Sequence, residues 1–222
     1  MKATNRATYC VTGGAGFIGS HIVKALLERG MKVRVLDNFS TGKMENLNGC
    51  GKAEVIEGDI RDMKMCLKAV KGVHYVLHQA ALPSVQRSVV NPVETHNVNA
   101  TGTLNMLVAS RDCRVRRFIY AGSSSAYGGI GKKPASEDIP PRPLSPYGAS
   151  KLMGEYYCRV FKGVYGIETV VLRYFNVFGP NQDPTTEYAA VIPKFISIMR
   201  RGDRPPVYGD GEQTRDFTYV DN

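Results

Sequence analysis

The segment that most narrows the possible folds is a glycine-punctuated turn near the start of the chain. Thr8-Tyr9-Cys10-Val11-Thr12 is a short, largely apolar run, and Gly13-Gly14-Ala15-Gly16-Phe17-Ile18-Gly19 follows it directly. A strand that meets three glycines three residues apart and then an amphipathic stretch opens a β-α-β unit, because glycine permits the tight turn and a close helix approach. The rest of the chain repeats the alternation. Strands are expected at 8–12, 32–36, 53–57, 75–78, 118–121 and 168–172, with helices at about 16–29, 62–70, 93–110 and 147–166. This pattern predicts an α/β fold built on a doubly wound parallel sheet, in which ligands sit at the carboxyl ends of the strands.

The residues that follow each strand are therefore where chemistry is expected. After the first, the glycine turn presents a helix N-terminus whose free N–H groups and dipole suit the pyrophosphate of a dinucleotide. Asp37 ends the second strand, where a carboxylate can accept hydrogen bonds from both hydroxyls of an adenosine ribose. That acid would repel a 2′-phosphate, so NAD rather than NADP is the expected cofactor. Asp59-Ile60 follows the third strand and His78-Gln79-Ala80-Ala81 the fourth; both are expected along the cofactor cleft, and Asp59 equally suits a helix N-cap. Asn99 lies within an expected helix, where its propensity is poor, which points to a buried polar role.

Ser123-Ser124-Ser125 ends the fifth strand, and Tyr147 precedes Lys151 by four residues. That spacing is about one helical turn, so the two side chains share a face. An ammonium beside a phenol favours the phenolate and draws the pKa from about 10 toward neutrality, where tyrosine can act as a general base. A serine hydroxyl at the strand end would hold a substrate oxygen and relay the proton. Taken alone, the tyrosine and lysine are also a common helical pair, and the serines an ordinary turn.

The chain has 222 residues and a formal net charge of +9. The excess favours anionic partners, but the basic clusters Arg114/Arg116/Arg117 and Arg200/Arg201/Arg204 lack the interleaved aromatics of a nucleic-acid groove, so no nucleic acid is expected. Five scattered cysteines, Cys10, Cys50, Cys66, Cys113 and Cys158, form neither a disulfide framework nor a zinc knuckle. His74 and His78 fall about 13 Å apart on a strand and are not a metal pair. Residues 1–6 carry no apolar leader, and no run is long enough to span a membrane; a cytoplasmic location is expected. Past Tyr174 the pattern changes at Gly179-Pro180, a helix is expected near 189–201 and a strand at 217–220.

Taken jointly, the glycine run at 12–19, Asp37, Asp59-Ile60, the serines before Tyr127-Gly128, and Tyr147 with Lys151 resemble the extended short-chain dehydrogenase/reductase family. Leu172-Arg173-Tyr174-Phe175-Asn176-Val177-Phe178-Gly179, residues 189–193 and Arg215-Asp216-Phe217 narrow the likeness to nucleotide-sugar epimerases and dehydratases. It is closest to UDP-sugar 4-epimerases, in particular those accepting UDP-N-acetylglucosamine, and spans essentially the whole chain. The resemblance implies a Rossmann domain over 1–174 and the beginning of a nucleotide-sugar domain over 175–222, the remainder being expected to be absent because family members are longer. It implies Tyr147 as base, Lys151 as its activator and ribose ligand, and Ser123 as their hydroxyl partner. Gly13, Gly16, Phe17, Ile18, Gly19, Asp37, Asn38, Asp59, Ile60, Gln79, Ala80, Ala81, Asn99, Tyr147, Lys151 and Phe175 would touch NAD. Ser84, Ser123, Ser124, Ser125, Tyr147, Asn176, Val191 and Arg215 would hold the UDP-sugar, with no metal and a homodimer as the assembly. Dehydratases of the family carry an acidic pair where Ser124 and Ser125 stand, so the resemblance implies epimerisation at C4 through a 4-keto sugar. Another nucleotide-sugar dehydratase or reductase, or a non-catalytic dinucleotide-binding protein, is the alternative.

Overall fold

The computed structural model describes residues 7–129, 134–184, 190–207 and 209–222. In chain order the first unit comprises β1 (Thr8–Thr12), α1 (Phe17–Glu28), β2 (Lys32–Asp37), a 3-10 turn (Met44–Leu47), β3 (Glu54–Glu57), α2 (Met63–Val70) and β4 (Tyr75–His78). Then come α3 (Val85–Val90), α4 (Pro92–His96), a π turn (Asn97–Thr101), α5 (Gly102–Asp112), β5 (Arg117–Ser123), a 3-10 turn (Ser124–Ala126), α6 (Pro146–Tyr165) and β6 (Glu168–Tyr174). The six strands pair in parallel in the order β3-β2-β1-β4-β5-β6. The order reverses direction beside β1, which puts the first βα turn at the switch point.

Alternation along the strands divides the core. Cys10, Leu36, Val76, Phe118 and Tyr120 face α2, α5 and α6, packing on Cys66, Val70, Met106, Leu107, Cys158 and Phe161. Val11, Val33 and Val35 point to the other side, against Val23 of α1. Parallel strands covered on both faces read as nearly continuous apolar runs, which is why they were visible in the sequence. Helix α6 starts where Ser145 accepts a hydrogen bond from the Gly148 N–H and Pro146 takes the first position; it stops at Gly166, whose φ of 72° is left-handed.

The chain divides into two compact units, Met1–Tyr174 and Phe175–Asn222. In the second, β7 (Asn176–Phe178) pairs in parallel with β8 (Phe217–Tyr219), and α7 spans Val191–Arg200. Phe178 packs edge-on against Phe217 and Tyr219, with centroids 6.2 and 5.5 Å away.

Three expectations need correction. The single helix at 93–110 is instead α4, a π turn and α5, because Asn99 spends its side chain on neighbouring segments and the backbone widens there. Helix α3 was not foreseen: six residues are too few to display a helical period. β5 and β6 reach further than expected, to Ser123 and Tyr174. Residues 1–6 and Ala189, which entered the sequence reading, lie outside the described residues.

Candidate active site

The glycine turn is as tight as its spacing implied. Gly13 has a φ of 67°, its N–H donates to the Leu36 carbonyl oxygen at 2.8 Å, and a Cβ there would come within 2.7 Å of the Ala80 nitrogen. A Cβ on Gly19 would run into the carbonyl oxygen of Gly13, so α1 packs directly on the turn. No side chain caps α1 at Gly16 and no acid stands in its first turn, where Phe17 and Ile18 are half-buried. A helix N-terminus with free N–H groups and a turn that a single methyl would fill suit the pyrophosphate of a dinucleotide.

Asp37 is buried at the end of β2, accepting from the Ala15 N–H through Oδ2 and from the Phe39 N–H through Oδ1, both at 2.9 Å. Each oxygen keeps a lone pair for a ribose hydroxyl. Asn38 Nδ2 donates to Asp59 Oδ2 at 2.8 Å. Asp59 is not the N-cap of α2; Asp62 is, accepting from the Lys64 N–H. Instead the Asp59 carboxylate is gripped by Arg61 through its backbone N–H, Nε and Nη2, which holds its pKa down at about 2. A carboxyl with a depressed folded pKa stabilises the fold above its unfolded pKa, near 4, and the contribution vanishes as pH falls toward 2. Asp59→Asn is therefore expected to be less stable than wild type at pH 6, by less than about 1 kcal/mol for so exposed a pair. Thermal melts should show that gap closing between pH 4 and 2; a gap of constant size would dissociate it from the ion pair. Ile60 is buried beside Asp59, its carbonyl oxygen accepting from Asn105 Nδ2 at 3.1 Å.

Ser123 and Tyr147 are neighbours at the carboxyl end of β5, the Ser123 hydroxyl being close enough to lower the pKa of the phenol. Ser123 Oγ also accepts the Ser125 N–H at 3.1 Å, which starts the 3-10 turn carrying Ser124 and Ser125. The electrostatics of Tyr147 differ from the expectation. Burial raises its pKa above the usual phenol value, with the nearby Ser123 hydroxyl opposing that rise. Lys151 is 4 % exposed, and burial lowers its own pKa to about 8, with Glu155 working the other way. Its Nζ stands 4.6 Å from the centroid of the Tyr120 ring. Desolvation penalises both charged forms, so the two do not reduce to a phenol beside a permanent cation.

A chain of buried polar groups, not foreseen as a unit, runs beneath these residues. Ala80 N–H donates to Thr12 Oγ1 at 3.2 Å; Thr12 Oγ1 lies 2.6 Å from His78 Nδ1, and His78 Nε2 lies 3.0 Å from Thr103 Oγ1. Thr103 donates to the Asn99 carbonyl oxygen at 2.6 Å. The Asn99 carboxamide accepts from the Leu82 N–H at 2.7 Å and donates to Ser150 Oγ at 3.1 Å, and Ser150 donates to the Tyr147 carbonyl oxygen. Asn99 is thus a clasp between the loop after β4 and the first turns of α6. A second clasp is Arg173 of β6, bonded to both oxygens of Glu155 on α6 and lying 4.4 Å over the Tyr127 ring. The signal for both was the row of small buried residues on α6, Gly148, Ser150 and Gly154, which marks a helix lying close on the sheet.

The remaining candidates lie on other segments. Gln79 and Ala81 flank Ala80 at the end of β4 and are half-buried. Ser84 caps α3, accepting from the Arg87 N–H, in a backbone with a φ of 101°. Phe175, Asn176, Val191 and Arg215 belong to the second unit; Asn176 Nδ2 donates to the Asp216 carbonyl oxygen, Val191 opens α7, and Arg215 Nη1 donates to the Thr214 carbonyl oxygen. Among the described residues no cluster of metal-ligating side chains occurs and no helix is long and apolar enough to cross a membrane.

The chain is similar to several proteins of known kind. A putative UDP-glucose 4-epimerase from Methanocaldococcus jannaschii is 47% identical over 212 residues, covering 95% of this chain and 68% of that protein. Among solved structures, a UDP-N-acetylglucosamine 4-epimerase from Methanobrevibacter ruminantium M1, in complex with UDP-N-acetylmuramic acid, superposes with a TM-score of 0.93 at 45% identity, covering 97% of this chain and 69% of that one. The UDP-glucose 4-epimerase of Thermus thermophilus, complexed with NAD, gives 0.88 at 42% identity, covering 96% and 70%. The family pattern described as NAD dependent epimerase/dehydratase matches residues 9–222. The glycine turn, the buried Asp37 and the Ser123–Tyr147 pair thus stand in a chain that belongs to the NAD dependent epimerase/dehydratase family.

Proposed function

We propose that the protein binds NAD along the glycine turn, Asp37 and the end of β4, and interconverts the C4 epimers of a UDP-hexose. The observation that carries the reading is the buried Ser123 at the sheet's carboxyl edge, its hydroxyl near enough to Tyr147 to lower the pKa of the phenol, followed by Ser124 and Ser125. NAD supplies the oxidation and re-reduction of the sugar carbon. Tyr147 takes the proton from the C4 hydroxyl and later returns it, Ser123 hydrogen-bonds the same oxygen, and Lys151 contributes positive charge at the foot of the site. Neither Ser124 nor Ser125 can protonate a departing C6 hydroxyl, which favours epimerisation over elimination. Asn176, Val191 and Arg215 are proposed as nucleotide-sugar ligands, arginine being suited to a diphosphate by its bidentate fork.

Offering UDP-glucose and UDP-N-acetylglucosamine separately and following products by NMR tests the reading. The C4 epimer of at least one is expected, without net NADH; a 4-keto-6-deoxy sugar would make the protein a dehydratase instead. Denaturation should release NAD, and Asp37→Ala should reduce its retention.

A homodimer is part of the proposal, supported by Met153, Tyr156, Val160 and Val164, an exposed apolar stripe at helical spacing along α6. Light scattering that returned a monomer mass would remove it.

A further inference from the structure

Tyr120 has no part in the chemistry described so far, yet three observations tie it to one residue that has. It is fully buried in β5, and its ring centroid lies 4.6 Å from Lys151 Nζ. Its hydroxyl donates to the carbonyl oxygen of the same Lys151 at 3.2 Å. Directly above it, α6 carries Gly154, where a Cβ would strike the Tyr120 hydroxyl, so the helix reaches the ring only because residue 154 lacks a side chain. The ring is also fixed from β4, stacked on His78 with centroids 5.9 Å apart and planes 23° from parallel. His78 in turn is held between Thr12 and Thr103.

We propose that Tyr120 is a positioning residue for Lys151, its ring face holding the ammonium and its hydroxyl holding the backbone of the same residue. A cation over an aromatic face is attracted by the ring quadrupole, and the attraction grows when water is excluded. Other ionisable groups also face Lys151. From α6 these are Tyr147 one turn earlier, Glu155, which is shared with Arg173, and Cys158, kept as a thiol because burial pushes its pKa to about 12. From β4 there is His78, kept neutral because burial and Lys151 hold its pKa at about 3. The inference rests on Lys151 serving the active site as proposed above.

The test separates ring from hydroxyl. Tyr120→Phe keeps the aromatic face and loses the hydroxyl; Tyr120→Leu loses both. Lys151 can be followed in the full chain by NMR of 13Cε-labelled lysine, its resonance identified by its loss in Lys151→Arg. The phenylalanine variant is expected to titrate near the wild-type midpoint. The leucine variant should titrate about half to one pH unit lower, the equivalent of about 1 kcal/mol of cation–π attraction. The alkaline limb of turnover should move with it, while KM for the UDP-sugar stays put. Should leucine prevent folding, a fluorinated phenylalanine at position 120 keeps the ring volume while weakening its face charge, and should lower the midpoint likewise. An unchanged midpoint without the ring face, or an equal fall in the phenylalanine variant, overturns the proposal. A wild-type protein that showed this titration but no epimerase activity would remove the functional reading and leave the lysine contact standing.

Discussion

Tyr147→Phe is expected to slow turnover by roughly 10²–10⁴, the usual scale for loss of a general base, while the protein folds and retains NAD. The change removes one oxygen and keeps the ring, so packing around the half-buried side chain is preserved. Ser123 Oγ still accepts the Ser125 N–H, so the strand end keeps its support. The cost in stability should not exceed that of one hydrogen bond, about 1 kcal/mol. The rise in barrier, about 3–5 kcal/mol by the same rate scale, is several times larger. Measuring kcat together with bound-NAD stoichiometry separates the two effects. A phenylalanine variant working at the wild-type rate would mean that another group moves the proton.

Gly19→Ala should abolish NAD retention and cost about 1–3 kcal/mol of stability, the range for forcing extra volume into a packed site. The added methyl meets the Gly13 carbonyl oxygen and lies 2.8 Å from Gly14 Cα; both are backbone atoms that cannot rotate away. The turn must open, and Gly13 is already so close to Ala80 that the end of β4 would move with it. Gly163→Ala is the control, since a Cβ there meets nothing within 4 Å and alanine is the better helix former. Cofactor assay after gel filtration and a denaturant melt of each variant check the expectation. Full NAD content in Gly19→Ala would show that the dinucleotide is held elsewhere.

The sheet was legible because its central strands β1, β4 and β5 are largely buried and mostly apolar, and because glycines mark the first turn. The position of Asp37 followed from a strand end, whereas Ser123 was singled out among three serines by the family resemblance. What the sequence hid is of another kind. The break at Asn99 depends on partners at Leu82 and Ser150, 17 and 51 residues away, and no local period carries that information. The pKa of Tyr147 misled for a similar reason: helical spacing reveals a shared face, but not that burial would raise the phenol or that Lys151 would settle against a ring from β5. Arg61 is the reverse case, a residue two places along that claims Asp59 before any ligand does.

The buried chain from Thr12 to Asn99 also fixes where its hydrogens lie. A threonine hydroxyl has one proton to give, and that of Thr103 goes to the Asn99 carbonyl oxygen. Toward His78, Thr103 can then only accept, so Nε2 carries the imidazole hydrogen and Nδ1 presents its lone pair. Thr12 must fill that lone pair with its own proton, which leaves its oxygen free to receive the Ala80 N–H. Every hydrogen along the line points the same way, from the strand ends toward the π turn. An imidazolium would put a second hydrogen on Nδ1, facing the proton of Thr12, and would reverse the line at that link. The His78 ring is thereby a one-way coupling with no room for a charge, and the glycine turn, the loop after β4 and the helix bearing Tyr147 are registered to one another by proton order as well as by packing.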